Sequence, residues 1–257
     1  EVAAGTKSFS VPTHPPPCSP ARLRVLQRSN ATTTVNSAFN LPIVLAAYDS
    51  QGRGIPEIAL TVSRLTPPAE YTAGQPEGTV VSPSSTQLTT GPDGTVSFTA
   101  TAGSVPGAIQ YQVSWIQGNK SLTTFVNFGV LAHASPDPVA PAVEYLEPDA
   151  GSYFVTSSLS EQAVLDRGEI PGWQRTGGTW LVFAHSDTNA APIKAPVCRS
   201  LAPGWHFVHF FTAFPSECGA LRHDSAWVEE SSDIFGMVPP TEQGCPAGTT
   251  PIFRVVR

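Results

Sequence analysis

Proline most constrains what this chain can fold into. Each proline lacks a backbone N–H and fixes φ, so it ends helices and is kept out of central strands. The 257 residues include 26 Pro and 21 Gly, about 18% of the chain where about 12% is usual. Long helices and coiled coils are therefore excluded. Collagen is excluded too, because glycine shows no three-residue period. The chain is 40% hydrophobic, too apolar for disorder throughout. Only 13% of residues are charged and the net charge is −6, so no basic surface for nucleic acid is expected. A β-rich chain with many turns remains.

The length suggests two domains. No apolar run is long enough to span a membrane. The chain opens at Glu1 with no signal peptide and reads as a mature or trimmed product. The four cysteines form no Cys-x-x-Cys pair and allow three disulfide pairings. We expect Cys198 with Cys218, closing a short loop worth about 3 kcal/mol, and Cys18 with Cys245, tying the N-terminal arm to the C-terminal end. Two disulfides fit a secreted, periplasmic or cell-surface location.

Residues 1–20, with prolines at 12, 15, 16, 17 and 20, read as an extended arm. Residues 21–131 read as about seven short strands between turns, near 23–26, 42–48, 58–62, 87–90, 95–99, 111–115 and 123–128. That spacing predicts a sandwich. The segments Asn36-Ser37-Ala38-Phe39, Pro42-Ile43-Val44, Asp49-x-x-Gly52-x-x-Ile55-Pro56, Leu88-Thr89-Thr90-x-x-x-Gly94-x-Val96 and the approach from Gly107 to Val113 resemble the bacterial Ig-like domains of invasin- and intimin-type surface proteins. The resemblance covers about residues 21–131 and departs in a long Pro/Gly/Ser loop from Thr66 to Ser85. It implies a stalk or spacer rather than an enzyme.

Residues 132–141, with three prolines, read as a stiff linker. Composition then changes. Residues 1–135 carry seven basic and six acidic residues, net +1, whereas residues 136–257 carry seven and fourteen, net −7. Four of the five tryptophans lie beyond residue 150. This part also repeats. Tyr153-Phe154-Val155-Thr156, Glu161, Leu165 and Trp173 recur as His209-Phe210-Phe211-Thr212, Glu217, Leu221 and Trp227. Pro251-Ile252-Phe253-Arg254 echoes Pro196-Val197-Cys198-Arg199 as the start of a third copy. Each unit reads as two strands, a short helix (160–167, 216–222) capped by Ser160 or Ser216, and a Trp-led strand. The matching ends suggest a sheet closed on itself. With Cys245-Pro246-Ala247-Gly248-Thr249-Thr250-Pro251-Ile252-Phe253-Arg254, residues 142–257 resemble a repeat domain of unknown function found in secreted bacterial and fungal proteins. The family's Glu-Gly after its Trp is absent: Val228-Glu229-Glu230-Ser231 follows Trp227. The first unit also lacks the initial His, with Ser152-Tyr153 in its place. The resemblance assigns no reaction.

The chemistry-bearing residues point the same way. There is no Gly-x-Ser-x-Gly elbow and no phosphate-binding loop. His206 and His209 fall in a predicted strand, where spacing by three puts them on opposite faces, so no metal is assigned. Glu147 and Asp149 read as a solvated turn. Glu161 and Glu217 read as helix first-turn acids. Glu229, Glu230 and Asp233 form an acidic cluster that could in principle serve glycoside hydrolysis. Trp173 and Trp227 occupy equivalent positions and read as core. Trp180 and Trp205 break the equivalence and, with Tyr145, are candidates to stack on a ligand.

The expectation is a mainly β protein: an Ig-like sandwich followed by a repeat domain with short helices. It binds an extracellular polymer or a cell-surface glycan or protein, carbohydrate first, without cofactor. Trp180, Trp205, Tyr145, His206, Glu229, Glu230 and Asp233 are the binding candidates, and no residue is given a catalytic role. The alternatives are a secreted hydrolase using the carboxylates of the second domain, and a structural subunit of a surface assembly.

Overall fold

Period-two burial builds the first lobe of the computed structural model, which describes residues 19–66, 81–190, 192–205, 207–242, 244–246, 249 and 251–252. Its strands are β1 (Arg22–Gln27), β2 (Asn30–Thr34), β3 (Ile43–Tyr48), β4 (Ala59–Arg64), β5 (Val81–Pro83), β6 (Gln87–Thr89), β7 (Thr95–Phe98), β8 (Ala100–Ala102), β9 (Gly107–Gln117) and β10 (Lys120–Leu131). Sheet β1-β3-β7 faces sheet β2-β10-β9-β4-β6, and β5 pairs with β8. Among the described residues, only β2 runs parallel to its partner, β10. Alternate residues Leu60 and Val62 of β4, Val113 of β9, and Val126 and Phe128 of β10 join Ile43 and Leu45 in one core. Phe128 sits edge-on to Phe39 at 4.8 Å and to Tyr111 at 5.8 Å. The β9–β10 hairpin turns on Gly118-Asn119, and Gly118 takes φ +61°, a backbone glycine accepts without a Cβ penalty.

The seven expected strands all form. Three more, β2, β5 and β8, were not expected from the sequence: they are short or polar, and β5 ends on a proline. The arm before residue 19 and most of the loop from Thr66 to Ser85 lie outside the described residues.

The second lobe starts earlier than expected, because β11 (Val139–Glu147) takes up the last residues of the segment read as a linker. It continues with β12 (Ser152–Thr156), α1 (Leu159–Asp166), β13 (Gln174–Phe183), β14 (Ala195–Pro196), β15 (Cys198–Ala202), β16 (Val208–Thr212), α2 (Pro215–His223), β17 (Val228–Ser231) and β18 (Gly236–Met237). One sheet runs β12-β11-β13-β18-β14 and another β16-β15-β17. The order strand, strand, helix, strand therefore occurs twice, with the first strand central both times. Among the described residues both sheets are open rather than joined in a ring. Of the expected third copy, which starts at Pro251, only residues 251–252 are described, and neither is in a strand.

The helix caps differ from expectation. Ser158, not Ser160, caps α1, accepting from the Glu161 N–H at 3.4 Å. The α2 N-cap is Phe214, without a side-chain bond, and Pro215 opens the helix, where its missing N–H costs nothing. Each helix is held instead from the preceding strand. Thr156 Oγ1 donates to Glu161 Oε2 and accepts from the Ser158 N–H; Thr212 Oγ1 donates to Glu217 Oε2 and accepts from the Phe214 N–H.

Cys198 and Cys218 are bonded as expected, tying β15 to α2. Cys245 is exposed. Its expected partner, Cys18, lies outside the described residues.

Candidate functional site

Two buried arginines organise the second lobe. Arg175 is the second residue of β13, and its aim comes from a slip in pairing. Val143 faces Thr179 but Tyr145 faces Arg175, so Thr176, Gly177 and Gly178 crowd opposite Glu144, with Gly177 at φ +87°. Such bulges redirect a side chain. The Arg175 guanidinium donates to Asp166 through Nε (2.8 Å) and Nη2 (2.7 Å), and through Nη1 to Gln110 Oε1 (2.8 Å) and Asn127 Oδ1 (2.7 Å). It also lies 4.4 Å above the Phe125 ring. Gln110 Nε2 donates to the Gly178 carbonyl at 3.1 Å, and Asn127 Nδ2 to Gln162 Oε1 at 3.0 Å.

Gln110 and Asn127 alternate with the sandwich core residues, so they stand on its outer face, yet each is only 1% exposed. The second lobe covers that face with matched polar groups. At Gly129 a Cβ would meet Leu181 Cδ2 at 2.6 Å, so glycine permits the close approach there. The lobes are thus joined by a buried network as well as by the segment between them.

Arg199 on β15 does the equivalent work inside the second lobe. Its guanidinium donates to Glu161 through Nη2 (2.7 Å) and Nη1 (3.2 Å), and through Nε to Glu230 Oε2 (2.8 Å). It stacks over Phe154 at 4.5 Å. Glu230 is the extra residue where the β15–β17 register slips, which turns it toward Arg199. His209 Nε2 lies 3.4 Å from Glu230, with its ring edge-on to Phe154 (5.0 Å) and Trp173 (6.0 Å). Burial pushes the Glu161 and Glu230 carboxyls up. The bonds from Arg199 to both, from Thr156 to Glu161 and from His209 to Glu230 outweigh it and hold both below their ordinary value.

The residues picked from sequence do not converge on one site. Tyr145 is 1% exposed and donates to Asp166 Oδ1 at 3.0 Å; burial raises its phenol far above the usual range. It cannot serve as an open stacking platform. Trp180 packs against the core of Ala142, Val155, Val182, Val197 and Phe235, with Nε1 buried and unpartnered among the described residues. Glu229 is paired with Arg222 at 2.6 Å, and the bonds from Arg222 lower its carboxyl. Asp233 accepts from Ser186 Oγ at 2.6 Å. Glu229 and Glu230 therefore serve different arginines, and neither has the raised pKa a glycosidase general acid needs. His206 lies outside the described residues.

Trp205 does reach solvent. It ends the 3-10 turn Pro203–Trp205 between β15 and β16 and is 58% exposed, edge-on to Trp227 at 5.7 Å. Phe207, 60% exposed, follows at φ +59°, a left-handed backbone that bulky residues rarely adopt. Val208 and Val228, which flank β15 at Ala202 and Leu201, are exposed as well. Sequence reasoning missed Phe207, Arg175 and Asp166. The Gly177-Gly178 pair inside a strand was the signal available for Arg175.

No protein-family model and no curated protein matches the chain. Among solved structures, PapD-like domain 7 of human CEP192 is similar at 11% identity and a TM-score of 0.34, over 52% of this chain and 99% of that domain. FdeC, an adhesin of Escherichia coli, is similar at 16% identity and a TM-score of 0.28, over 70% of this chain and 45% of that one. The chain thus spans less than half of the adhesin structure.

Proposed function

We propose that this is an exported binding protein. An Ig-like sandwich, residues 21–131, holds a twice-built second domain, residues 142–257, against an extracellular polymer, carbohydrate first among the candidates. The observation that carries the reading is the exposed end of the β16-β15-β17 sheet: Trp205 and Phe207, 58% and 60% exposed, beside Trp227, Val208 and Val228. Aromatic faces exposed this far stack on the C–H faces of sugars and need no buried charge. The strained backbone at Phe207 is the kind of cost that persists where a side chain must be presented. The Cys198–Cys218 disulfide fits an oxidising compartment. The sandwich is the spacer, and the arginine networks keep the second domain rigid upon it.

The test is retention of the whole protein on immobilised polysaccharides (cellulose, chitin, peptidoglycan and a host mucin) beside a Trp205→Ala/Phe207→Ala variant. We expect retention on at least one matrix and at least tenfold weaker retention for the variant, with its melting temperature unchanged. No retention on any matrix, or equal retention of the two proteins, overturns the proposal.

A further inference from the structure

We propose a second, small-molecule site in the cleft between the lobes, shaped for one or two rings of a neutral sugar. It is separate from the Trp205 surface and does not depend on it. The cleft holds about 320 Å³, at the lower end of ligand pockets, which run from about 300 to 1,000 Å³. That volume suits a monosaccharide or disaccharide and not a long stretch of chain.

The lining decides the chemistry. Gln112 and Thr123 reach the cleft from the outer face of the sandwich, and Asp166, Trp173 and Gln174 from the second lobe. The side chains of Gln112, Thr123 and Gln174 make no hydrogen bond among the described residues, so amide and hydroxyl groups from three strands are available to a ligand. At the floor, Asp166 accepts from Tyr145 and Arg175 and is 19% exposed, leaving acceptor capacity toward the cleft. Its charge is cancelled by Arg175, which is 3% exposed. A cleft without net charge does not select a phosphate or an ammonium ion. An aromatic wall at Trp173 with free amides and a neutralised carboxylate suits a ligand with apolar C–H faces and a ring of hydroxyls, which is a sugar. The two walls come from different lobes, so the site exists only while the Arg175 network holds them together.

The experiment is saturation-transfer NMR and titration of the whole protein with glucose, galactose, N-acetylglucosamine and glucuronate. We expect at least one neutral sugar to bind and glucuronate to bind at least tenfold more weakly. A Gln112→Ala/Gln174→Ala variant should lose binding at least tenfold with an unchanged melting temperature. Trp205→Ala should leave it unchanged, which separates this site from the polymer surface. The proposal fails if no neutral sugar binds, if glucuronate binds as well as the neutral sugars, or if the double variant binds normally.

Discussion

The second lobe runs through strand, strand, helix, strand twice, with the first strand central each time, and the two stretches differ in their support. In the first, β12-β11-β13 packs Phe154 edge-on to Trp173 at 5.8 Å; in the second, β16-β15-β17 packs Phe210 edge-on to Trp227 at 5.7 Å. Thr156 and Glu161 repeat as Thr212 and Glu217. Gln162 Nε2 donates to the Thr156 carbonyl at 3.4 Å, and Cys218 Sγ lies 3.7 Å from the Thr212 carbonyl. From there the copies part. The first leans on the sandwich through Gln162, Asn127 and Arg175. The second has Cys218 in the place of Gln162, bonded to Cys198, which faces Thr212 as Val143 faces Thr156. A polar contact with a neighbouring lobe is exchanged for a covalent tie within the unit. Trp173 is then half-buried, edge-on to Phe154 and to His209 of the second unit, with the cleft on its open side, whereas Trp205, Val208 and Val228 of the second remain in solvent. The local pattern makes the unit, and the surroundings decide whether its aromatic end is core or surface.

The largest expected effect breaks the support of the first unit. Arg175→Ala removes the cation from half-buried Asp166 and one bond each from buried Gln110 and Asn127. Losing one member of a buried ion pair costs about 3–5 kcal/mol, a fall of roughly 10 °C in melting temperature for a chain of this size. Replacing the pair together, Arg175→Met with Asp166→Leu, should recover much of that stability. If the single variant melts like wild type, the lobes are not held by this network. For the second unit, Cys198→Ala/Cys218→Ala opens a tie across 20 residues, worth about 3 kcal/mol in the chain-entropy model. Calorimetry of both variants compares the two supports directly. A disulfide variant as stable as wild type would show that the second unit does not need its own tie.

Arg199 links the copies, and its loss should cost less. Its partners Glu161 and Glu230 have side chains 36% and 28% exposed, so about 2 kcal/mol is expected, between exposed and fully buried pairs. The pH dependence has a definite sign. Both carboxyls sit below their ordinary value, so the stabilisation is complete above the ordinary carboxylate range, near 4.5. It is lost as pH falls through the lowered values. Urea unfolding at pH 7, 5 and 3 should show the gap between wild type and Arg199→Ala closing on acidification. A gap that stays constant would mean that Arg199 acts through packing on Phe154 alone.

The sequence was legible where residues face a single core. Val62 and Val113 alternate with polar neighbours, and their strands were found. The same rule hid the lobe contact, because Gln110 and Asn127 read as a solvent face until a second lobe covers them. The Cys198–Cys218 pair was readable from its short spacing. Trp205 and Trp180 broke the repeat alike, but only Trp205 sits in a turn. Trp180 lies on β13, packed on a core to which Val197 and Phe235, from later in the chain, contribute. That Glu230 is withdrawn from the acidic cluster was not legible, because its partner, Arg199, lies 31 residues away.

The smallest predicted effect tests one position at which the copies differ in charge. Glu144 faces Val155 as Arg199 faces Phe211, so a carboxylate in the first unit stands where the second has its arginine. Burial raises the Glu144 carboxyl, and the hydrogen bond from Thr176 Oγ1 at 2.8 Å offsets this only in part. An acid raised on folding costs stability when ionised, so its contribution worsens as pH climbs from about 4.5 through the raised value. Glu144→Gln keeps an acceptor for Thr176 and removes the charge. It should therefore melt slightly higher than wild type at pH 7, with the gain gone at pH 4. A variant less stable than wild type at pH 7 would mean that the ionised carboxylate has a partner in the fold, and that the first unit, like the second, depends on a charge at this position.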